Sequence, residues 1–151
     1  SVVAADISPT AVSCARANAA RNRLSDCIAV SQSDVWDGVA QTAPFDLVIT
    51  NPPFYPRAIE SLADHAFASG DRHAFVFKLA AGLRTRLARG GSLLMIHSSD
   101  EDFAPVGRLL ADHGFQGVVV MEERGIFETL TIREFRAGPK PARSMGPPGG
   151  A

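Results

Sequence analysis

Apolar residues in the first half of the chain fall in short unbroken runs, and between the runs they recur every three or four positions. Short unbroken runs suit strands covered on both faces, and the spacing between them suits helices lying on a sheet. Val2-Val3-Ala4-Ala5 reads as a buried strand that closes at Asp6. Ser8 predicts a helix cap, with Pro9 as the first helical residue, where a missing amide donor costs nothing. Ala11, Cys14, Ala15, Ala19 and Leu24 mark the buried side of that helix. Cys27 to Val30, Phe45 to Thr50 and Ser92 to His97 read as further strands. Between the last two, the pattern predicts a helix from Arg72 to Arg89, with Arg86 and Arg89 in its last turn and Gly90-Gly91 ending it. Another helix runs from Phe103 to His113 and stops at Gly114.

After Gly114 the rhythm changes. Gly117 to Glu122 and Phe127 to Phe135 are two strand-like runs separated by a tight turn around Arg124-Gly125, which predicts an antiparallel hairpin. Thr129, Thr131 and Arg133 alternate with Leu130 and Ile132, so one face of the last strand is expected to be wet or partner-facing and the other buried. The fold class that follows is α/β, with a mostly parallel sheet, covering helices and a carboxy-terminal antiparallel hairpin. It occupies one domain over residues 1–136. From Ala137 to Ala151 the composition is dominated by Gly, Pro, Ser and Ala, which cannot bury enough surface to offset ordering entropy, and a disordered tail is expected there.

Composition removes several function classes. Charged residues nearly cancel, at 15 Lys plus Arg against 16 Asp plus Glu, so no strong polyanion footprint is written into the chain. Cys14 and Cys27, and the histidines at 65, 73, 97 and 113, have no metal-ligand spacing, so no metal site is expected. The two cysteines are expected as small buried hydrophobes. No apolar run approaches the roughly 20 residues a membrane span needs, and no basic-then-apolar leader opens the sequence. A cytoplasmic, reduced protein is the expectation.

Ligands of open parallel sheets bind beyond the carboxyl ends of the strands, which directs attention to Asp6, Asp34 and Asn51. Asp6 can accept from the vicinal hydroxyls of a ribose, or can serve simply as a turn residue before Ser8-Pro9. Asp34, in Ser33-Asp34-Val35-Trp36, can accept from an adenine amino group. The segment Phe45 to Pro56 is more specific, because an apolar strand runs directly into Asn51-Pro52-Pro53-Phe54. Two prolines stiffen the backbone and remove two donors, so acceptors face the site. The Asn51 side-chain oxygen and the Pro52 carbonyl can each take one hydrogen of an incoming NH2 group, Phe54 can stack on its flat face, and the nitrogen lone pair is thereby aimed. Read blandly, the same four residues are a rigid turn.

From Val2 to Arg136 the chain resembles class I S-adenosylmethionine-dependent methyltransferases with an Asn-Pro-Pro-(Tyr/Phe) motif, and most of all the HemK-like protein-glutamine methyltransferases. The resemblance rests on Ala5-Asp6-Ile7-Ser8-Pro9 with Ala11, Ala15 and Asn18, on Ser33-Asp34-Val35, on Asp46 through Phe54, and on Arg124 to Ile132. It implies a Rossmann-like fold with S-adenosylmethionine as cofactor. Asp6 would bind the ribose, Ile7 would pack on the adenine, and Asp34 with Val35 would hold the adenine end. Asn51 would border the cofactor and, with Pro52, Pro53 and Phe54, form the catalytic segment. The family opens with a strand and a glycine-rich turn that find no counterpart here, where the first glycine is Gly38. The chain is therefore expected to be amino-terminally incomplete, with an interruption between the strands ending at Asp6 and Asn51 and weak cofactor binding on its own.

Three readings of the substrate follow. The favoured one is a glutamine side chain of a protein partner such as a release factor. A nucleobase amino group, adenine or guanine in RNA or DNA, suits Phe54 equally, yet Arg72, Arg84, Arg86 and Arg89 sit where a helix end favours cations anyway. An inert fold or scaffold subunit is the third. His65, His97 and Glu60 are read as solvated or structural side chains rather than substrate contacts, and Trp36 as packing either on the cofactor side or in the core.

Overall fold

The computed structural model describes residues 1–40, 43–52 and 74–138. In chain order its elements are β1 (Val2–Asp6), α1 (Pro9–Arg21), β2 (Ile28–Gln32), β3 (Phe45–Thr50), α2 (Ala74–Arg86), β4 (Leu87–Ser98), α3 (Ala104–Asp112), β5 (Phe115–Arg124) and β6 (Thr129–Ala137). Every predicted element within the described residues is present. Strand β6 extends through Ala137, one residue into the segment expected as tail, and 139–151 lie outside the described residues.

The strands form two sheets. One pairs β1 with β2 in parallel, with Asp6 opposite Gln32. The other has the order β3-β4-β6-β5, in which β3 and β4 are parallel and the remaining pairs antiparallel. The interruption therefore falls between the strand ending at Asp6 and the strand leading to Asn51. Both flanking strands carry exposed apolar side chains, Val2 and Val3 on β1 and Leu47 and Ile49 on β3.

The core lies on one face of the four-stranded sheet. Leu93 and Met95 of β4, Phe115 of β5 and Phe135 of β6 are buried against Val76, Leu79, Ala80 and Leu83 of α2 and Val106 and Leu110 of α3. Helix α2 ends at Arg86, three residues before the expected Arg89, and strand replaces the expected glycine stop. The cause lies in β4, whose register against β3 jumps from Phe45↔Leu87 to Leu47↔Ser92. Gly90, at φ +83°, allows the kink, and a Cβ on Gly91 would stand 2.8 Å from the Phe45 carbonyl oxygen. Only a residue without a side chain lets the two backbones approach so closely.

Three expectations about burial are corrected, the first being that β1 and β3 are covered on both faces, since Val2, Val3, Leu47 and Ile49 are exposed. Cys14 and Cys27 are exposed free thiols, and Leu24 is exposed as well. Helix α1 covers only a two-stranded sheet, so its fully buried stripe narrows to Val12 and Ala19. On β6 the polar-looking face is the covered one: Thr131 is buried beside Phe135 on the core side, while Leu130 is 38% exposed. The pattern of apolar and polar residues there is inverted because His97 and Arg133 occupy the same face and supply Thr131 with polar surroundings.

What ties the β1-β2 unit to the larger sheet is Trp36, in the loop after β2. Its Nε1–H donates to the Leu79 carbonyl at 3.0 Å, its ring stacks on Phe45 with centroids 6.4 Å apart, and the Arg86 guanidinium lies over the ring at 5.0 Å. Arg86 also donates to the Val39 carbonyl at 3.3 Å. The indole lies over Gly82, where an added Cβ would meet its Cδ1 at 2.5 Å. Trp36 is thus a packing residue held against α2, which settles the alternative left open by its sequence position. In a free helix Gly→Ala gains about 1 kcal/mol, whereas overpacking a fixed ring costs about 1–3 kcal/mol. Gly82→Ala is therefore expected to destabilise, read as a lower urea midpoint; a raised midpoint would show that the indole is not held.

Candidate functional site

The carboxyl ends of β1, β2, β3 and β4 carry the side chains with chemistry. Asp6 closes β1 with its carboxylate exposed, and one oxygen accepts from the Ser8 amide at 2.8 Å. That bond belongs to the turn before α1, where Ser8 caps the helix by accepting from Ala11 at 3.4 Å. The second carboxylate oxygen keeps acceptor capacity towards solvent. Ile7 is half-buried, and its carbonyl accepts from Gln32 Nε2 at 3.1 Å, which fixes the loop beside the end of β2.

The loop after β2 is built around the buried Ser33. Its hydroxyl donates to the Val35 carbonyl at 3.0 Å and accepts from the Gly38 amide at 2.8 Å. Val35 is driven to φ 55°, a left-handed conformation that a β-branched residue adopts only under strain of about 1–3 kcal/mol. Gly38 is obligatory there, because a Cβ would sit 2.1 Å from the Gln32 carbonyl oxygen. This shape presents Asp34 and Asp37 to Lys78 on α2, whose ammonium pairs with the Asp34 carboxylate and lies 3.1 Å from that of Asp37. The hydrogen bond to Asp34, then the one to Asp37, raises the Lys78 ammonium above the ordinary lysine value. Asp34 is therefore not the unshared acceptor the sequence suggests, although a carboxylate has lone pairs beyond those one ammonium occupies. Nothing in the sequence flagged Lys78, which reaches Asp34 only through the packing of α2 beneath the loop.

Strand β3 delivers Asn51 and Pro52 at its carboxyl end. Asn51 is exposed at the edge, and Pro52 is buried. Pro53, Phe54, Glu60 and His65 lie outside the described residues. Asp6 and Asp34 are brought together by the β1-β2 pairing, in which the Ser33 amide donates to the Asp6 carbonyl at 2.9 Å. Asn51 occupies the corresponding end of β3 in the other sheet, joined to the first through the Trp36 contacts with α2 and Phe45. An open cleft of about 630 Å³ lies elsewhere, between α3 and the hairpin, and none of these residues lines it.

Beyond Asn51 the edge continues to the end of β4. The Ser98 amide donates to Glu101 at 3.3 Å, and the Ser98 hydroxyl donates to the Glu128 carboxylate. Burial pushes the Glu101 carboxyl up, the Ser98 amide opposes this, and the charges of Glu128 and Asp100 add to the rise. His97 is buried, stacks on Phe103 at 4.1 Å, and accepts from Arg133 Nε–H at 3.1 Å through Nε2. Its proton then lies on Nδ1, which donates to the Ser98 carbonyl at 3.3 Å. The structural reading of His97 holds. Among the described residues no three His, Cys, Asp or Glu side chains are grouped to hold a metal, and no helix is long and apolar enough to cross a membrane.

Acidic and amide side chains thus stand at the carboxyl ends of the parallel strand pairs β1-β2 and β3-β4, where ligands of open α/β sheets bind. Comparison with known proteins makes that more specific. Residues 1–131 match the family model of the methyltransferase small domain, and the chain belongs to that family. It is 29% identical over 144 residues to a release factor glutamine methyltransferase of Neisseria gonorrhoeae, covering 89% of this chain and 52% of that protein. It is 37% identical over 60 residues to a tRNA1(Val) (adenine(37)-N6)-methyltransferase of Porphyromonas gingivalis, covering 37% of this chain and 24% of that protein. A methyltransferase structure from Pyrococcus furiosus superposes with a TM-score of 0.65 at 15% identity, covering 89% of this chain and 62% of the other, which shows the shared Rossmann-like methyltransferase fold. The chain thus spans about half the length of the first relative and less of the second.

His97 generates a pH dependence of stability. Burial holds its imidazole below the ordinary value, the Ser98 carbonyl opposes this, the Arg133 charge lowers it further, and Glu122 raises it slightly. With the folded pKa depressed, the unfolded chain binds the extra proton first as pH falls through about 6.5, so stability is full above that value and declines below it. The thermal midpoint is expected to fall between about pH 7.5 and 5.5, and the fall to be shallower in His97→Gln. Equal slopes in both proteins would remove His97 as the cause.

Proposed function

We propose that this chain supplies the substrate-gripping half of an S-adenosylmethionine-dependent N-methyltransferase acting on a planar amide, a glutamine side chain of a protein. The observation that carries the reading is the placement of Asn51, exposed at the carboxyl end of β3 and followed by the buried Pro52. A buried proline holds the corner, and no amide hydrogen of its own competes for the acceptors. The Asn51 side-chain oxygen and the Pro52 carbonyl then receive the two N–H groups of the substrate, and the nitrogen lone pair points away from both. Pro53 and Phe54 would complete the grip, the phenyl ring covering the flat face of the amide.

S-adenosylmethionine, when bound, supplies an electrophilic methyl group. The residues at the edge suit its nucleoside end: the free oxygen of Asp6 for the ribose, Ile7 and Val35 as apolar walls, and Asp34 for the adenine amino group, shared with Lys78. Because Asp34 and Lys78 are already paired, recognition of the amino group replaces part of an ion pair rather than adding to an empty acceptor. A second reading, a nucleobase amino group as acceptor, is favoured by the likeness to the tRNA adenine methyltransferase over 60 residues. The glutamine relative matches 89% of this chain against 37% for the adenine relative, and this supports the amide.

Asn51→Ala is expected to lower kcat about tenfold or more while leaving the Kd of S-adenosylmethionine nearly unchanged, since the lost contact orients substrate. Asp6→Ala is expected to do the reverse, weakening cofactor binding by about 1.5–3 kcal/mol, the worth of a charged hydrogen bond. Turnover with tritiated S-adenosylmethionine and calorimetric titration measure the two quantities. Equal losses of both in Asn51→Ala would refute the assignment, and label appearing in RNA but not in glutamine-bearing protein would transfer it to the second reading.

A further inference from the structure

Ile126 and Phe127 are 94% and 93% exposed, at the tip of the β5-β6 hairpin. They fill the two central positions of the turn, which the Gly125 amide closes by donating to the Glu128 carbonyl at 2.8 Å. Such positions favour Gly, Asn, Asp or Pro, whose backbone or side chain serves the turn itself. A branched and an aromatic side chain contribute nothing of that kind and bury almost no surface in the fold.

The tip stands on a fixed stem. The Ser99 amide donates to the Thr129 carbonyl at 2.8 Å, the Thr129 amide returns a bond to the Ser99 hydroxyl at 2.9 Å, and Glu128 is tied to Ser98. Leu130 lies opposite Ser98, three residues beyond Met95, which pairs with Thr50 beside Asn51. The tip therefore extends past the same sheet edge that presents Asn51, two strand positions away in the order β3-β4-β6.

Charge selects what can settle there. Residues 98–102 and 122–128 carry Asp100, Glu101, Asp102, Glu122, Glu123 and Glu128 against Arg124 alone. A phosphate backbone approaching this rim meets like charge, whereas a polypeptide with lysine or arginine beside an apolar residue meets complementary groups. We propose that the hairpin tip is a docking element for a polypeptide substrate, in which Ile126 and Phe127 seat apolar side chains of the partner and the acidic rim holds cationic residues flanking the methylated amide. This inference rests on the methyl-transfer reading of Asn51 and names the substrate class for it.

The test measures binding separately from chemistry. Two fluorescent probes are titrated by anisotropy: a glutamine-centred peptide with leucines and flanking lysines, and a single-stranded RNA of equal length. The double variant Ile126→Ser with Phe127→Ser is expected to weaken peptide binding about tenfold, with the thermal midpoint unchanged, because the lost side chains are apolar anchors outside the core. Glu122→Lys with Glu123→Lys is expected to weaken it similarly and to flatten its salt dependence. The charge-reversed pair carries the test if the serine variant loses its thermal transition. Peptide affinity untouched by both variants, no measurable peptide binding, or tighter binding of the RNA through the same tip would each overturn the proposal. Tip-dependent peptide binding without methyl transfer to glutamine would sink the glutamine reading and leave the docking element standing.

Discussion

The geometry of the ligand edge depends on how Trp36 is held. The loop after β2 carries Asp34 and Val35, and it is fastened to α2 by the indole, which lies over Gly82, donates to the Leu79 carbonyl and contacts both Phe45 and Arg86. Phe45 opens the strand that leads to Asn51, so one aromatic contact joins the β1-β2 unit to the base of β3. The pairing of Lys78 with Asp34 and Asp37 and the Arg86 bond to the Val39 carbonyl fasten the same loop to α2 from its other positions. An indole can do this because it combines a large apolar surface with a donor that a helix carbonyl can accept.

The edge so assembled is divided by chemistry. On one side Asp6 and Asp34 offer carboxylates with remaining acceptor capacity, suited to hydroxyl and amino donors of a nucleoside. In the middle, Asn51 and Pro52 offer neutral acceptors, which bind N–H groups without protonating or ionising them. On the far side, Ser98, Glu101, Glu128 and the hairpin tip form an acidic rim around two exposed apolar side chains. Acceptors predominate along this edge.

Two polar groups show how the interior tolerates such an edge. His97 is buried next to it, yet it is fully engaged, accepting from Arg133 and donating to the Ser98 carbonyl beneath the acidic turn. Ser33 is buried in the loop and uses its hydroxyl twice, which shapes the backbone that holds Asp34 outward. Both satisfy the requirement that buried polar atoms find partners, and both turn that requirement into positioning of neighbours.

The local rules of the chain determined the elements. Strand runs, the Ser8-Pro9 cap and the Gly114 stop were readable because each depends on residues within a few positions of one another, and the placement of Asp6, Asp34 and Asn51 at or just beyond strand ends followed from them; the hairpin was readable too, but its turn centres on Ile126-Phe127, two residues beyond the expected Arg124-Gly125, and β6 begins at Thr129 instead of Phe127. Contacts between distant segments were not readable. The pairing of Lys78 with Asp34 spans 44 residues, the seat of Trp36 on Gly82 spans 46, and the inverted faces of β6 depend on His97 and Arg133 meeting across two strands. The exposure of Cys14, Cys27 and Leu24 likewise reflects how little sheet lies beneath α1. Periodicity reports which side of an element is apolar; only the packed structure decides what, if anything, covers it, because burial is a property of pairs of surfaces and not of either one alone.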